Sequence, residues 1–300
     1  MASDVDPRFR PTLWPGTPVP APALEPVEGV QVDGDFIVWH GSSLHRQPAK
    51  VSLPEDFYLR ELRELDPGDM ATVATWMSTY GLFCRAGEEL DLVNWTLEAE
   101  AEVNALGKRE HPQRGGWSMH RDLVSIHVQE AQEAVATWLA CQREGGLDAL
   151  IEPDITEENL AQVRESDPAV RDLDDLRELE EWFRLGQLKN SLNAALSSFG
   201  VGIGSLGDRR PTIYSVAFLQ MYNHIAENAV IRQCASETCR RAFVRQRGRA
   251  AYGQNRTSGI KYCTRECARA QAQREHRRRR KAATELTAAA ARPEAKEGRA

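Results

Sequence analysis

Four cysteines near the C-terminus of the 300-residue chain stand in two close pairs, within "CASETCRRAF" (234–243) and "KYCTREC" (261–267). Cys234 and Cys239 enclose four residues, Cys263 and Cys267 enclose three, and twenty-three separate the pairs. Four thiolates in two such pairs suit a tetrahedral metal ion, because a loop can bring two short hairpin-like pairs together at little entropic cost. A Zn2+ held by four protein ligands has no open position, so the role expected is structural rather than catalytic. Two disulfides, or four unrelated cysteines, are the competing readings. The chain shows no secretory leader pattern, which points to a reducing, cytoplasmic setting where disulfides are rare.

The segments around the cysteines indicate how they are positioned. "RRAFVRQ" has the residue types of a strand, "RGRAAYGQNRTSG" those of a turn, and "IKYC" those of a returning strand. "CTRECARAQAQREHRRRRKAATEL" reads as a helix, on which Cys263 and Cys267 are one turn apart and share a face. A knuckle, a hairpin and a helix bearing the last two ligands predict a treble-clef-like α+β finger over 231–282.

Charge separates this finger from the rest. Residues 232–281 carry sixteen Arg or Lys against three Glu, whereas 1–231 carry nineteen basic and thirty-eight acidic residues. The overall charge of −6 therefore hides a strongly basic end on an acidic body. The expected nucleic-acid-binding residues are Arg240, Arg241, Arg245, Arg247 and Arg249 around the hairpin, with Arg269, Arg274, Arg277, Arg278, Arg279, Arg280 and Lys281 on the helix. Guanidinium forks engage phosphates bidentately and can also read guanine in a major groove. Arginine outnumbers lysine thirty-two to six along the whole chain, so position is better support than residue choice.

"VIRQCASETCRRAF" with "GIKYCTRECARAQAQREHRRR" resembles the CGNR-type zinc finger at the C-terminus of bacterial stress-induced transcription regulators. The matching residues are Cys234, Cys239, Phe243, Tyr262, Cys263 and Cys267, while "CARA" (267–270) stands where the family has Cys-Gly-Asn-Arg. The resemblance is concentrated in 231–281. It implies a zinc-stabilised nucleic-acid-binding module, with double-stranded DNA as the expected partner.

Upstream, the sequence predicts a mainly α-helical domain over 29–230. Seven of the fifteen prolines fall in residues 7–26, which predicts a disordered arm over 1–28. "VQVDGDFIVWHG" alternates about Asp33-Gly34 and predicts a small β-hairpin. Helical periodicity follows in "PEDFYLRELRELD", "DMATVATWMSTYG", "LDLVNWTLEAEAEVNAL", "HRDLVSIHVQEAQEAVATWLACQ", residues 167–200 and residues 211–233. Residues 283–300 are expected to form a disordered tail. No run approaches the roughly eighteen apolar residues that a membrane helix requires.

Other chemistry is weakly signalled. His120, His127 and Glu130 share a helix without a metal-ligand spacing, and exposed helix positions are expected for them. Cys84 and Cys141 sit on apolar faces as small hydrophobes. The tryptophans at 39, 76, 95, 117, 138 and 182 are expected in the core. No P-loop, dinucleotide fingerprint or nucleophile elbow is present. The reading is a DNA-binding transcription regulator with an acidic part that senses a small molecule or binds a protein. The alternatives are a zinc-stabilised protein-interaction adaptor, and an enzyme with an unrecognised site in the helical body.

Overall fold

Asp33 and Gly34 turn the chain between two short strands, β1 (Gln31–Asp33) and β2 (Phe36–Val38). Gly34 takes φ +58, a left-handed conformation that glycine adopts without steric cost. The computed structural model describes residues 19–40, 49–85, 89–90, 97–142, 145–199, 210–227, 229–245 and 261–290. It is mainly helical and divides into two compact units, Met1–Val230 and Ile231–Ala300.

The predicted hairpin is part of a larger sheet. A third strand, β3 (Ser118–His120), pairs antiparallel with the other edge of β2, setting Ile37 opposite Met119. Three residues, Ser-Met-His, are too few to show an alternating pattern, so this strand was silent in the sequence.

The segment expected as one regular helix from residue 54 forms only a five-residue π-helical turn, Tyr58–Leu62. Helix α1 (Met70–Thr79) is capped by Asp69, whose carboxylate accepts from the Thr72 N–H at 3.0 Å. Gly81 follows at φ +148, and a Cβ there would meet the Glu25 carbonyl oxygen at 2.8 Å. Thus Gly81 both ends the helix and lets residue 25 pass close by.

That passing segment corrects the expectation for the N-terminus. Residues 1–18 lie outside the described set, but 19–28 are docked rather than disordered. Leu24 is fully buried and exchanges backbone hydrogen bonds with Val51 at 2.7 and 2.9 Å, and the Asn223 side chain holds Val19. Prolines exclude regular structure here without excluding an extended, packed strap.

Helices α2 (Leu97–Gly107), α3 (Arg121–Cys141), α4 (Asp148–Ile151), α5 (Glu157–Ser166), α6 (Leu173–Leu196) and α7 (Ile213–Ala226) complete the first unit. Helix α3 packs against α6, α7 and the π-helical turn, and Tyr58, Trp138 and His224 meet there with all three rings buried. The start of α6 lays Leu176 on Leu160 of α5 and on Val170, with its acidic residues on the solvent side, as the helical spacing of leucines predicts. Trp39, Trp76 and Trp138 are buried, as expected, but Trp117 and Trp182 are exposed and Trp95 lies outside the described residues. Among the described residues, no helix is long and apolar enough to cross a membrane.

In the second unit, β4 (Val230–Gln233) pairs with β5 (Ala242–Arg245), and α8 (Arg265–Ala290) follows. The expected disordered tail begins too early, since α8 runs eight residues past 282. Alanines at 282, 283 and 288–290 are the best helix formers, and Lys281 pairs with Glu285 one turn on at 3.8 Å.

Candidate metal centre and basic helix

The turn joining β4 to β5 places the first cysteine pair. Cys234 donates its N–H to the Arg241 carbonyl at 2.8 Å, and the Ser236 carbonyl accepts from Cys239 and Arg240 at 3.1 and 3.2 Å. Arg240 takes φ +51, so the chain reverses directly after the second cysteine. The Thr264 hydroxyl accepts from the Cys267 N–H at 3.2 Å and caps the start of α8. Cys263 precedes that cap and Cys267 lies in the first turn, where the positive helix end favours thiolates.

All four sulfurs lie within 4.8 Å of one another. Cys239 and Cys263 are 3.5 Å apart through sulfur, and Cys263 and Cys267 are 3.6 Å apart. A tetrahedron of sulfurs about 2.3 Å from a central ion has edges of roughly 3.8 Å, whereas a disulfide needs about 2.05 Å. The six cysteines are free, so the spacing fits a metal ion and the disulfide reading does not hold. This cluster can therefore hold a metal ion.

Local fields prepare the thiols unequally. Burial pushes the Cys234 thiol up, but backbone N–H groups of Cys263 and Ser236 outweigh it and bring it down to about 7. Burial, followed by hydrogen bonds with Cys239, Cys267 and Cys234, pushes the Cys263 thiol well up. Loading a metal must displace the remaining protons, which makes affinity pH-dependent.

The expected basic residues are not equivalent. Arg247 and Arg249 lie outside the described residues, as does the intervening turn. Arg240 and Arg241 are exposed on the knuckle and after it, and Arg245 closes β5. Arg269, Arg274, Arg277 to Arg280 and Lys281 all lie on α8. Arg274 donates to the Thr238 hydroxyl at 2.6 Å and to the Ser236 hydroxyl at 3.3 Å. Arg278 makes a two-pronged contact with Glu237, at 2.6 Å on each oxygen. Arg279 pairs with Glu275 at 3.8 Å.

Gln271 was missed from sequence, although it lies one turn beyond Cys267 on the cysteine face. Only 5% exposed, it accepts from the Glu237 N–H at 3.2 Å and donates to the Glu237 carboxylate at 3.1 Å. Glu237 itself was a signal, as one of three acids in the basic segment. Contact with Arg278, then with Gln271, holds its carboxyl below the usual range.

In the first unit the expectation of exposed positions for His120, His127 and Glu130 is overturned. All three are buried: His120 caps α3, the His127 Nδ1–H donates to the Leu123 carbonyl at 2.9 Å, and Glu130 accepts from the Tyr214 hydroxyl at 3.2 Å. Their helix packs on α7, and Phe83 and Tyr214 cover the His127 ring. Cys84 is buried as expected, while Cys141 is half-buried. A cavity of about 200 Å³ lies between β3, α2 and the start of α3. Trp39, Leu82 and Leu106 supply its apolar wall and Arg85, Arg109 and His120 its basic groups, and among the described residues no carboxylate lines it.

No protein-family model matches the chain, and neither the curated proteins nor the solved structures contain a match to it.

Proposed function

We propose that Ile231–Ala300 is a zinc-stabilised, treble-clef-like finger that binds nucleic acid, with double-stranded DNA as its partner. In this reading the chain is a transcription regulator of the CGNR kind, acting in a bacterial cytoplasm. The observation that carries it is the joining of α8, rich in arginine, to a four-cysteine cluster at its first turn. A metal there fixes the helix as a rigid cationic rod, a form suited to a groove or to the phosphate backbone. Zinc is the ion of choice because four thiolates in a tetrahedral array match its preferences.

Fluorescence anisotropy of the full, zinc-loaded chain on random duplex DNA across a salt series tests the reading. The expected result is binding whose log affinity falls with log salt by about 0.9 per phosphate neutralised. Absence of duplex binding together with tight binding to acidic proteins would establish the adaptor instead.

The acidic unit is the sensory or interaction part in this scheme. Its cavity joins an apolar wall to basic groups, with no carboxylate among the described lining residues, in a unit of strongly negative net charge, which suits a small anion with an apolar body. Benzoate is expected to raise the melting temperature of this unit more than benzamide does, and Arg109→Ala to remove the difference. Equal shifts from the two compounds would rule out recognition of the anion there.

A further inference from the structure

Helix α8 presents its arginines to two different surroundings. Counting about 100° per residue from the buried Gln271, Cys267, Arg274 and Arg278 fall within about 60° of it, on the face that carries the cysteine cluster. Arg269, Arg277 and Arg280 fall about 120–180° away, and all three are exposed. The sequence run Arg277–Arg280 is thus cut by the helix period: Arg278 turns inward, Arg277 and Arg280 outward.

The inward side chains converge on the loop between the first two cysteines. Arg274 reaches Ser236 and Thr238, Gln271 holds both the N–H and the carboxylate of Glu237, and Arg278 grips the same carboxylate with both prongs. Arg274 also donates to Gln271 at 3.1 Å, so the contacts form one connected network. Exposed ion pairs contribute little singly, but a two-pronged pair tied into a network is geometrically defined. Its effect is to fix the Cys234–Cys239 loop relative to the helix that supplies Cys267 and is entered through Cys263. The outward set has another character. Among the described residues the guanidinium groups of Arg277 and Arg280 have no ion-pair partner, and Arg269 has only its neighbour Glu266 nearby. Arg269 to Arg280 covers about 16 Å of helix, and duplex DNA carries a phosphate for every roughly 1.7 Å of axis, so each guanidinium can meet one.

We infer that α8 divides its arginines by face: Arg274 and Arg278 are positioning residues that lock the knuckle for metal retention, and Arg269, Arg277 and Arg280 form the phosphate-contact surface. The outward half rests on the nucleic-acid reading above; the inward half rests only on the metal centre.

Two measurements on the full, zinc-loaded chain separate the halves: the rate of metal release to a chromogenic chelator, and the salt slope of random-duplex binding. Arg278→Lys keeps the charge but cannot make the two-pronged contact, and Glu237→Gln removes the partner. Both, with Arg274→Gln, are expected to speed metal release about tenfold, the lower end for outer-shell changes at metal sites, and to leave the slope unchanged. Arg269→Gln and Arg280→Gln are expected to flatten the slope by about one unit each and to leave release unchanged. Wild-type release rates in all three inward variants would overturn the lock, and so would a slope flattened as much by Arg274→Gln as by Arg269→Gln. A wild-type chain that retains zinc but binds no duplex would end the nucleic-acid reading and the outward half, with the release rates still deciding the inward half. A chain that holds no metal would end the metal reading itself.

Discussion

In Met1–Val230 the interior is made of large apolar side chains such as Phe57, Phe83, Trp138, Tyr214 and Phe218, all essentially out of solvent. In Ile231–Ala300 the buried side chains among the described residues are Cys234, Phe243, Val244, Ser236 and Gln271. Both units also bury polar groups, but with different consequences. In the first unit Thr212, Ser215 and Glu89 form a satisfied cluster inside a core that would exist without them, the Thr212 hydroxyl donating to Glu89 at 2.7 Å. Among the described residues of the second unit only two apolar side chains, Phe243 and Val244, are buried besides Cys234, and the cysteine cluster and the Glu237 network lie where the first unit has aromatic packing. The difference teaches that the two units should respond to different perturbations.

Metal removal should break the comparison most sharply. A chelator, or Cys263→Ser, is expected to unfold the second unit, because a metal bound by all four cysteines would supply folding energy directly. All seven tryptophans lie before residue 231, so their fluorescence reports the first unit alone, while far-ultraviolet circular dichroism also reports α8. The expected outcome is a loss of helical signal with an unchanged tryptophan melting curve. Retention of the full helical signal in chelator would show that the cysteine cluster is dispensable to the fold.

A smaller effect, acting on the first unit, comes from pH. Burial lowers His127 and His224 to about 4, so both are neutral when folded and take up protons more readily when unfolded. Between about pH 6.5 and 4 the unfolded chain binds more protons, and stability therefore falls as pH falls. For His127 the loss is on the order of 3 kcal/mol across that interval. The tryptophan-monitored melting temperature should drop over this range, and His224→Gln should shallow the drop. A melting temperature that is flat or rises on acidification would contradict the burial of neutral histidines.

The clustering of the four cysteines was legible in the sequence because its information is local. Cys263 and Cys267 are four residues apart across the start of α8, Cys263 lying just before the helix rather than on it as the spacing predicts, Cys234 and Cys239 flank a single tight turn, and the pairs need only one loop closure to meet. The Gly34 turn and the leucine spacing of α6 were readable for the same reason, since each depends on neighbours within a few residues. The tertiary structure alone decided the features that depend on distant partners. Strand β3 exists because Met119 finds Ile37 some eighty residues earlier, and the strap at 19–28 because Leu24 finds Val51. His127 is buried because Phe83 and Tyr214 close over it, which no period on its own helix reveals. The same holds for the arginines: composition showed how many there are, but the hydrogen bonds from Gln271, Arg274 and Arg278 to residues some thirty-five positions earlier determine which of them face the knuckle. Local periodicity sets where a side chain points on its own helix, and only packing sets what it meets there.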